Sequence, residues 1–357
     1  MPNNRSSKQP AKSAKAAAKP ASKTRKPASK TAAAKTAPAK RASSAGSSSR
    51  STRKAAVASK PISPPPAKVE IPELVDQPRF TGLAASLATP SDFELSELPT
   101  EPLPGGPKNK KHAVKQLEKM GPALATMQEQ LFAEATAGSK RRVLLLLQGM
   151  DTAGKDGVIK HVVGLLNPGA VRLASFKAPT AEELEHDFLW RIRRQVPAAG
   201  QIGVFNRSQY EDVLIVRVHD LVPKTVWSKR YAQINAFERE LARQGTVLIK
   251  CFLHISKKVQ AQRLLARLDD PTKYWKFNPA DVDERGYWDE YQQAYSDVLR
   301  RTSTVGSPWY VIPSDKKWYR NWAVAALLSE KLSQLDLSYP PADFDIAEQK
   351  QRILDSE

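Results

Sequence analysis

The sequence predicts an α/β fold, a mostly parallel five-stranded sheet covered by helices on both faces. Three observations carry this. From residue 143 onward short apolar runs alternate with stretches of helical periodicity. The first such run, VLLLLQ at 143–148, passes directly into a glycine-rich loop, GMDTAGKDG. No segment repeats at the period of a solenoid. A buried strand that runs into such a loop and then a helix places the loop at the C-terminal end of a parallel sheet, where phosphates bind.

The elements follow in order. Residues 1–66 are built from Ala, Lys, Ser, Pro and Thr, with KPASK at 19–23 and again at 26–30. They have almost nothing to bury and are expected to form a disordered tail. Residues 67–108 bring acids, prolines and scattered Leu, Phe and Val, and read as a linker and lead-in that packs in places. Between 109 and 137, Val114, Leu117, Leu124, Met127, Leu131 and Phe132 recur at helical spacings, and Gly121 and Pro122 are expected to break or kink the run. Strand 143–148 is followed by a helix over 158–166, a strand over 171–176, a helix over 180–195 and a strand over 201–206. Next come a helix clearest over 227–244, a strand over 246–255, a helix over 257–268 and a polar loop. A helix from about 279 to 300, a strand over 309–313 and a helix over 316–335 complete the domain, expected to span 109–340 and to leave a C-terminal tail at 341–357.

Charge is concentrated at one end. Residues 1–66 hold 11 Lys and 5 Arg and no Asp or Glu, so +16 of the formal +19 lies in the tail and the rest is nearly neutral. Such a tail suits nonspecific binding of DNA or polyphosphate; the plainer reading is a solvated, solubilising arm. The single cysteine, Cys251, sits in the apolar run TVLIKCFLHI, reads as a core residue and fits a reducing compartment. No run reaches the ~18 apolar residues of a membrane span. The expected location is cytoplasmic. An organellar transit peptide is the alternative for a basic, acid-poor N-terminus, but this one is rich in Lys and dotted with Pro.

Four stretches carry chemistry. In the glycine-rich loop Gly149, Gly154 and Lys155 match the Gly-x4-Gly-Lys pattern whose backbone N–H groups and lysine cradle phosphates. Asp156 stands where a hydroxyl normally touches Mg²⁺, which makes Asp151 the candidate metal ligand. The strand over 201–206 ends in Asn206 and Arg207, with Glu211 and Asp212 just beyond. Asn206 and Glu211 are candidate metal ligands there, while Ser208 and Glu211 also read as a helix capping box. In SFKAPTAEELEHDFLWR, Lys177 follows a strand and faces the same rim, as a phosphate contact or a solvated lysine. Thr180 and Glu183 form a capping box, and Leu184 and Phe188 a buried stripe. Between 263 and 285, Arg263 and Arg267 share a helix face ahead of Lys273 and Lys276, the cations of a phosphoryl-transfer lid unless they pair with Asp269, Asp270, Asp281 and Asp283. Trp288, Tyr291, Tyr295 and Leu299 recur at helical spacing as core.

The phrases QGMDTAGKDG, SFKAPTAEELEHDFLWR, GVFNRSQYEDVLIVRVH, RLDDPTKYWKF and SPWYVIPSDKKWYRNWAV, in that order, resemble the polyphosphate kinase 2 family over about 109–340. The resemblance implies a P-loop kinase-like three-layer sandwich with a helical lid at about 263–285. It implies phosphoryl transfer between inorganic polyphosphate and purine nucleotides, dependence on Mg²⁺ or Mn²⁺, and a dimer or tetramer. By it, Asp151 is the metal-binding acid, Lys155 the phosphate lysine and Arg207 the second-motif arginine, while Lys177, Arg263 and Arg267 match basic residues near the phosphate channel and lid. NRSxYED resembles the branch that uses both nucleoside mono- and diphosphates. The rival functions are an ATP-dependent nucleoside monophosphate kinase on the same architecture, and a polyanion-binding, chromatin-like protein acting through its tail.

Overall fold

A computed structural model describes residues 82–356. The expected disordered tail at 1–66 lies outside the described residues, as does the first part of the linker, 67–81.

In chain order the strands are β1 (Arg142–Gln148), β2 (Val171–Ser175), β3 (Ile202–Asn206), β4 (Thr246–His254) and β5 (Trp309–Pro313). All four pairings are parallel, and the order is β2-β3-β1-β4-β5, so the loop-bearing strand is central. Val143 to Leu147 are buried on both faces, which is why this strand reads as a continuous apolar run rather than an alternating one.

The helices are α1 (Leu83–Leu87), α2 (Lys110–Thr136), α3 (Lys155–His161), α4 (Ala181–Leu184), α5 (Trp190–Arg193), α6 (Ile215–Val218), α7 (Lys224–Arg243), α8 (Lys257–Leu268), α9 (Ala280–Asp283), α10 (Trp288–Thr302), α11 (Lys317–Ser333) and α12 (Ile346–Leu354). α11 packs on α2 and α3, and α7 packs on β4 and α10; right-handed crossovers, the rule for parallel strands, place helices on both faces of such a sheet. The lead-in wraps the edge at β5. Leu87, Phe93 and Leu95 are buried, and Thr89 N donates to Trp309 O at 2.9 Å.

Several expectations are corrected. Gly121 and Pro122 do not break α2, which runs unbroken because Met120, Leu124, Met127 and Leu131 are buried on either side of them and outweigh the hydrogen bond that proline removes. The helix expected over 180–195 is two short pieces, α4 and α5, separated where Asp187 Oδ1 accepts from Leu189 N. Leu184 is 70% exposed, so only Phe188 packs against the core. The helix expected from 279 to 300 divides into α9, a 3₁₀ turn at Glu284–Tyr287 containing Gly286, and α10. Residues after 340 contain the further helix α12, capped by Asp345.

A buried polar network stiffens the segment after β3. Lys250 of β4 and Glu238 of α7 pair at 2.7 Å; Glu238 also accepts from Tyr210 Oη (2.6 Å), Gln209 Nε2 (3.0 Å) and Ser307 Oγ (3.1 Å). Lys250 further donates to Thr302 O at 2.7 Å, so this buried ion pair is supported by hydrogen bonds on both sides. It holds the 3₁₀ helix Gln209–Val213, and with it the chain leaving Arg207.

Candidate active site

The C-terminal end of the sheet opens into a cavity of about 750 Å³, lined by nine Lys and Arg side chains and two carboxylates. That imbalance in a half-enclosed space calls for a polyanion.

The loop's glycines are there for close approaches. A Cβ on Gly149 (φ 151°) would lie 2.6 Å from Leu253 O. At Gly154 (φ 108°) and Gly157 it would lie 1.7 and 2.4 Å from the guanidinium of Arg320. Thr152 and Arg207 adopt φ of 63° and 64°, left-handed backbone on non-glycine residues of the kind that collects at functional sites. Ser208 steadies the second: its hydroxyl accepts from Gln148 Nε2, at the end of β1, at 3.0 Å.

Lys155 Nζ donates to Gly149 O at 2.8 Å, folded back over its own loop. Burial, and then the Arg207 charge, lower its pKa, with Asp151 and Glu211 opposing them. Arg207 pairs with Asp151 at 3.1 Å and with Glu211 at 3.8 Å; burial pulls its pKa down, but Glu211 and then Asp151 more than reverse that. Asn206 Nδ2 donates to Asp156 Oδ1 at 3.0 Å. Glu211 is not on the cavity wall; it stands behind Arg207. Ser208 caps the 3₁₀ turn after it, and the capping box with Glu211 does not form. The box of Thr180 and Glu183 does, at 2.9 and 3.2 Å. Lys177 lines the cavity, its carbonyl held at 2.8 Å by buried Arg191.

Across the cavity stand α8 and α11. Arg263 donates to Thr152 O (2.8 Å), Ala153 O (3.1 Å), Ser314 O (2.5 Å) and Asp315 O (3.0 Å). Arg320 donates to Ala153 O at 3.0 Å, and burial together with Arg263 lowers its pKa to about 9. Among the described residues Arg263, Lys317 and Arg320 have no carboxylate within 4.0 Å, whereas Arg267 pairs with Asp281 at 3.1 Å and Lys273 with Asp270 at 2.5 Å. Sequence reading missed Lys317 and Arg320. The signal for them was that KKWYRN follows the β5 end and so shares the rim with Lys155 and Lys177.

No three His, Cys, Asp or Glu side chains among the described residues form a metal-holding group. Asp151 presents one carboxylate to the cavity. Kinase sites hold Mg²⁺ with one or two carboxylates plus substrate phosphates and water, so this donor set fits a hard divalent cation that arrives with its phosphates.

A family model described as polyphosphate kinase 2 (PPK2) matches residues 108–339. An AMP/ADP-polyphosphate phosphotransferase of Meiothermus ruber is 49% identical over 248 residues, 70% of this chain and 91% of the relative. An ADP-polyphosphate phosphotransferase of Rhodopseudomonas palustris is 46% identical over 244 residues, 65% of this chain and 83% of the relative. The crystal structure of polyphosphate kinase 2 from Arthrobacter aurescens TC1 is similar with a TM-score of 0.75 at 49% identity, covering 76% of this chain and 96% of that one.

Proposed function

The chain belongs to the polyphosphate kinase 2 family, and from that premise we propose that it transfers a phosphoryl group from inorganic polyphosphate to AMP or ADP, and to GMP or GDP, reversibly and with Mg²⁺ or Mn²⁺. The observation that carries the reading is the cavity itself: nine cations against two carboxylates, gathered around a phosphate loop at the end of a parallel sheet.

An oxygen of the nucleotide's terminal phosphate attacks the end phosphorus of the polyphosphate in line. The new P–O bond forms as the chain's last anhydride P–O bond breaks, and the shortened chain leaves as an anionic phosphate. No proton need move and no covalent enzyme intermediate forms. Lys155, Arg207, Arg263 and the lid's Arg267 meet the charge on the migrating group, and the backbone of Gly149 to Gly154 positions it. Lys177 faces the same space. Asp151 would hold the divalent cation, supported by Asn206 and Glu211, and the cation when bound offsets charge on the phosphate oxygens. Lys317 and Arg320, which have no ion-pair partner among the described residues, suit the trailing phosphates of the donor.

No helix among the described residues is long and apolar enough to cross a membrane. A cytoplasmic home fits a nucleotide substrate and a single, buried thiol at Cys251. A dimer or tetramer belongs to the same proposal, and light scattering reads it.

The test supplies the full chain with AMP or ADP and either long-chain polyphosphate or ATP as donor. Transfer from polyphosphate is expected; transfer to AMP from ATP alone would make it an ATP-dependent monophosphate kinase. A panel of AMP, ADP, GMP and GDP then ranks the acceptors.

A further inference from the structure

One buried amide links the lid to the loop that carries Asp151. Gln260, on α8, is 2% exposed, and both ends of its side chain are engaged. Its Nε2 donates to Asp151 O at 3.2 Å, and its Oε1 accepts from Arg285 Nη1 at 2.6 Å. The chain of donors therefore runs one way, from the lid guanidinium through the amide to the loop carbonyl. The charge of Arg285 strengthens the first bond and polarises the second.

The loop needs such a hold. Thr152, next to Asp151, lies at φ 63°, a conformation that persists only when its surroundings impose it. Three successive carbonyls are pinned from outside: Asp151 O by Gln260, Thr152 O by Arg263, and Ala153 O by Arg263 and Arg320. Of these only the bond to Asp151 is tied onward to the far end of the lid at Arg285, because Arg263 and Arg320 spend their other donors on Ser314, Asp315 and Asn321. Arg285 lies in the 3₁₀ turn Glu284–Tyr287, just after α9, whose Asp281 pairs with Arg267. These segments are thus fastened to α8 by Arg267, which holds Asp281 and Lys276 O, and by Arg285, which reaches Lys257 O at 3.2 Å and the Gln260 amide.

We propose that Gln260 is a positioning residue that couples the lid to the metal-holding carboxylate. With the lid seated, Arg285 locks the Gln260 amide onto the Asp151 carbonyl and fixes the side chain of Asp151. With the lid lifted, the amide is free to turn and Asp151 loses its outer support, so cation affinity and lid position rise and fall together. This rests on the reading of Asp151 as a metal ligand.

The experiment measures Mn²⁺ binding by EPR to the full chain in the presence of tripolyphosphate, without nucleotide, for the parent, Gln260→Met, Arg285→Met and the double variant. Each single variant is expected to weaken Mn²⁺ by about 10-fold, the order seen when an outer-shell partner of a metal ligand is removed. The double variant should be no weaker than either, because the two residues act as one connection. In turnover, the Mg²⁺ needed for half-maximal rate should rise while KM for ADP stays put. Arg285 is on the lid and only half-buried, so its variant tests the coupling even if Gln260→Met fails to fold. Unchanged Mn²⁺ affinity in Arg285→Met, or additive losses in the double variant, would overturn the coupling. Asp151→Asn separates the two layers: if it binds Mn²⁺ like the parent, the metal reading fails first.

Discussion

At Lys155 the chemistry is most exposed to a single change. Its ammonium is the loop's one full positive charge and reaches back to Gly149 O at 2.8 Å; in the proposed reaction it would turn onto a phosphate. Lys155→Ala should lower kcat by at least about 100-fold, the order expected for removing one preorganised charge from a transition state. A coupled ATP-formation assay reads it, and a variant keeping a third of parental turnover would remove Lys155 from the chemistry. Gly157 is the more particular case, because the phosphate-loop pattern does not require it. An alanine inside α3 would normally stabilise by about 0.5–1 kcal/mol. Here its Cβ would meet the Arg320 guanidinium at 2.4 Å, and Arg320, 3% exposed, has little room to retreat. Gly157→Ala should instead destabilise by about 1–3 kcal/mol, the range for overpacking, and raise KM for polyphosphate. A rise in Tm would show that the seat of Arg320 is looser than this geometry implies.

Among the elements, the junction of β4 with the lead-in carries a pH signature. His254, 3% exposed at the end of β4, has its pKa lowered to about 4 by burial, against the charge of Asp315 and hydrogen bonds to the backbone of Leu95 and Leu98. Above pH 6.5 it is neutral whether folded or not and its contribution is fully present. As pH falls from 6.5 through 4 the unfolded chain takes up a proton that the folded one resists, so stability is lost. Resisting that proton over this range is worth about 3 kcal/mol. Asp212 works in the opposite sense. Burial raises its pKa to about 6 despite Arg230 and Arg191, so the folded state binds a proton first and gains stability as pH falls from 6 toward 3.8. The parent should therefore show a shallow slope over this window. His254→Gln should lose less stability than the parent between pH 7 and 4, by about 3 kcal/mol in denaturant titrations at the two pH values. Equal losses would mean that His254 is protonated in the folded state.

For the whole molecule the largest charge imbalance lies in the basic tail. Its 16 cations and absence of acids suit counterion-release binding to DNA or long polyphosphate, which weakens log-linearly with salt. Removing residues 1–66 should leave kcat on short polyphosphate nearly unchanged, because every cavity residue lies beyond 150, and should raise KM for long chains at low salt. DNA retention should vanish with the tail. Anisotropy on one labelled polyanion compares the salt slopes of full-length and truncated protein, and equal slopes would make the tail a passive arm. The fold itself was legible because each strand is a short apolar run and Gly149, Gly154 and Lys155 mark where the first one ends. Helix lengths were less so: α2 passes through Pro122, and 180–195 divides in two, since packing against distant residues overrides local preference. By itself the sequence determined the parallel α/β architecture, the loop and the identity of most cations on its rim, because these follow from periodicity and local spacing. Only the tertiary structure decided that Arg320 fills the space left by Gly154 and Gly157, that Glu211 stands behind Arg207, and that Gln260 joins Asp151 to the lid. The Arg320 and Gln260 contacts span 167 and 109 residues of chain, and no local pattern encodes a distance closed by packing; Arg207 and Glu211 are only four apart, but which side of Arg207 faces the cavity depends on the packed turn between them.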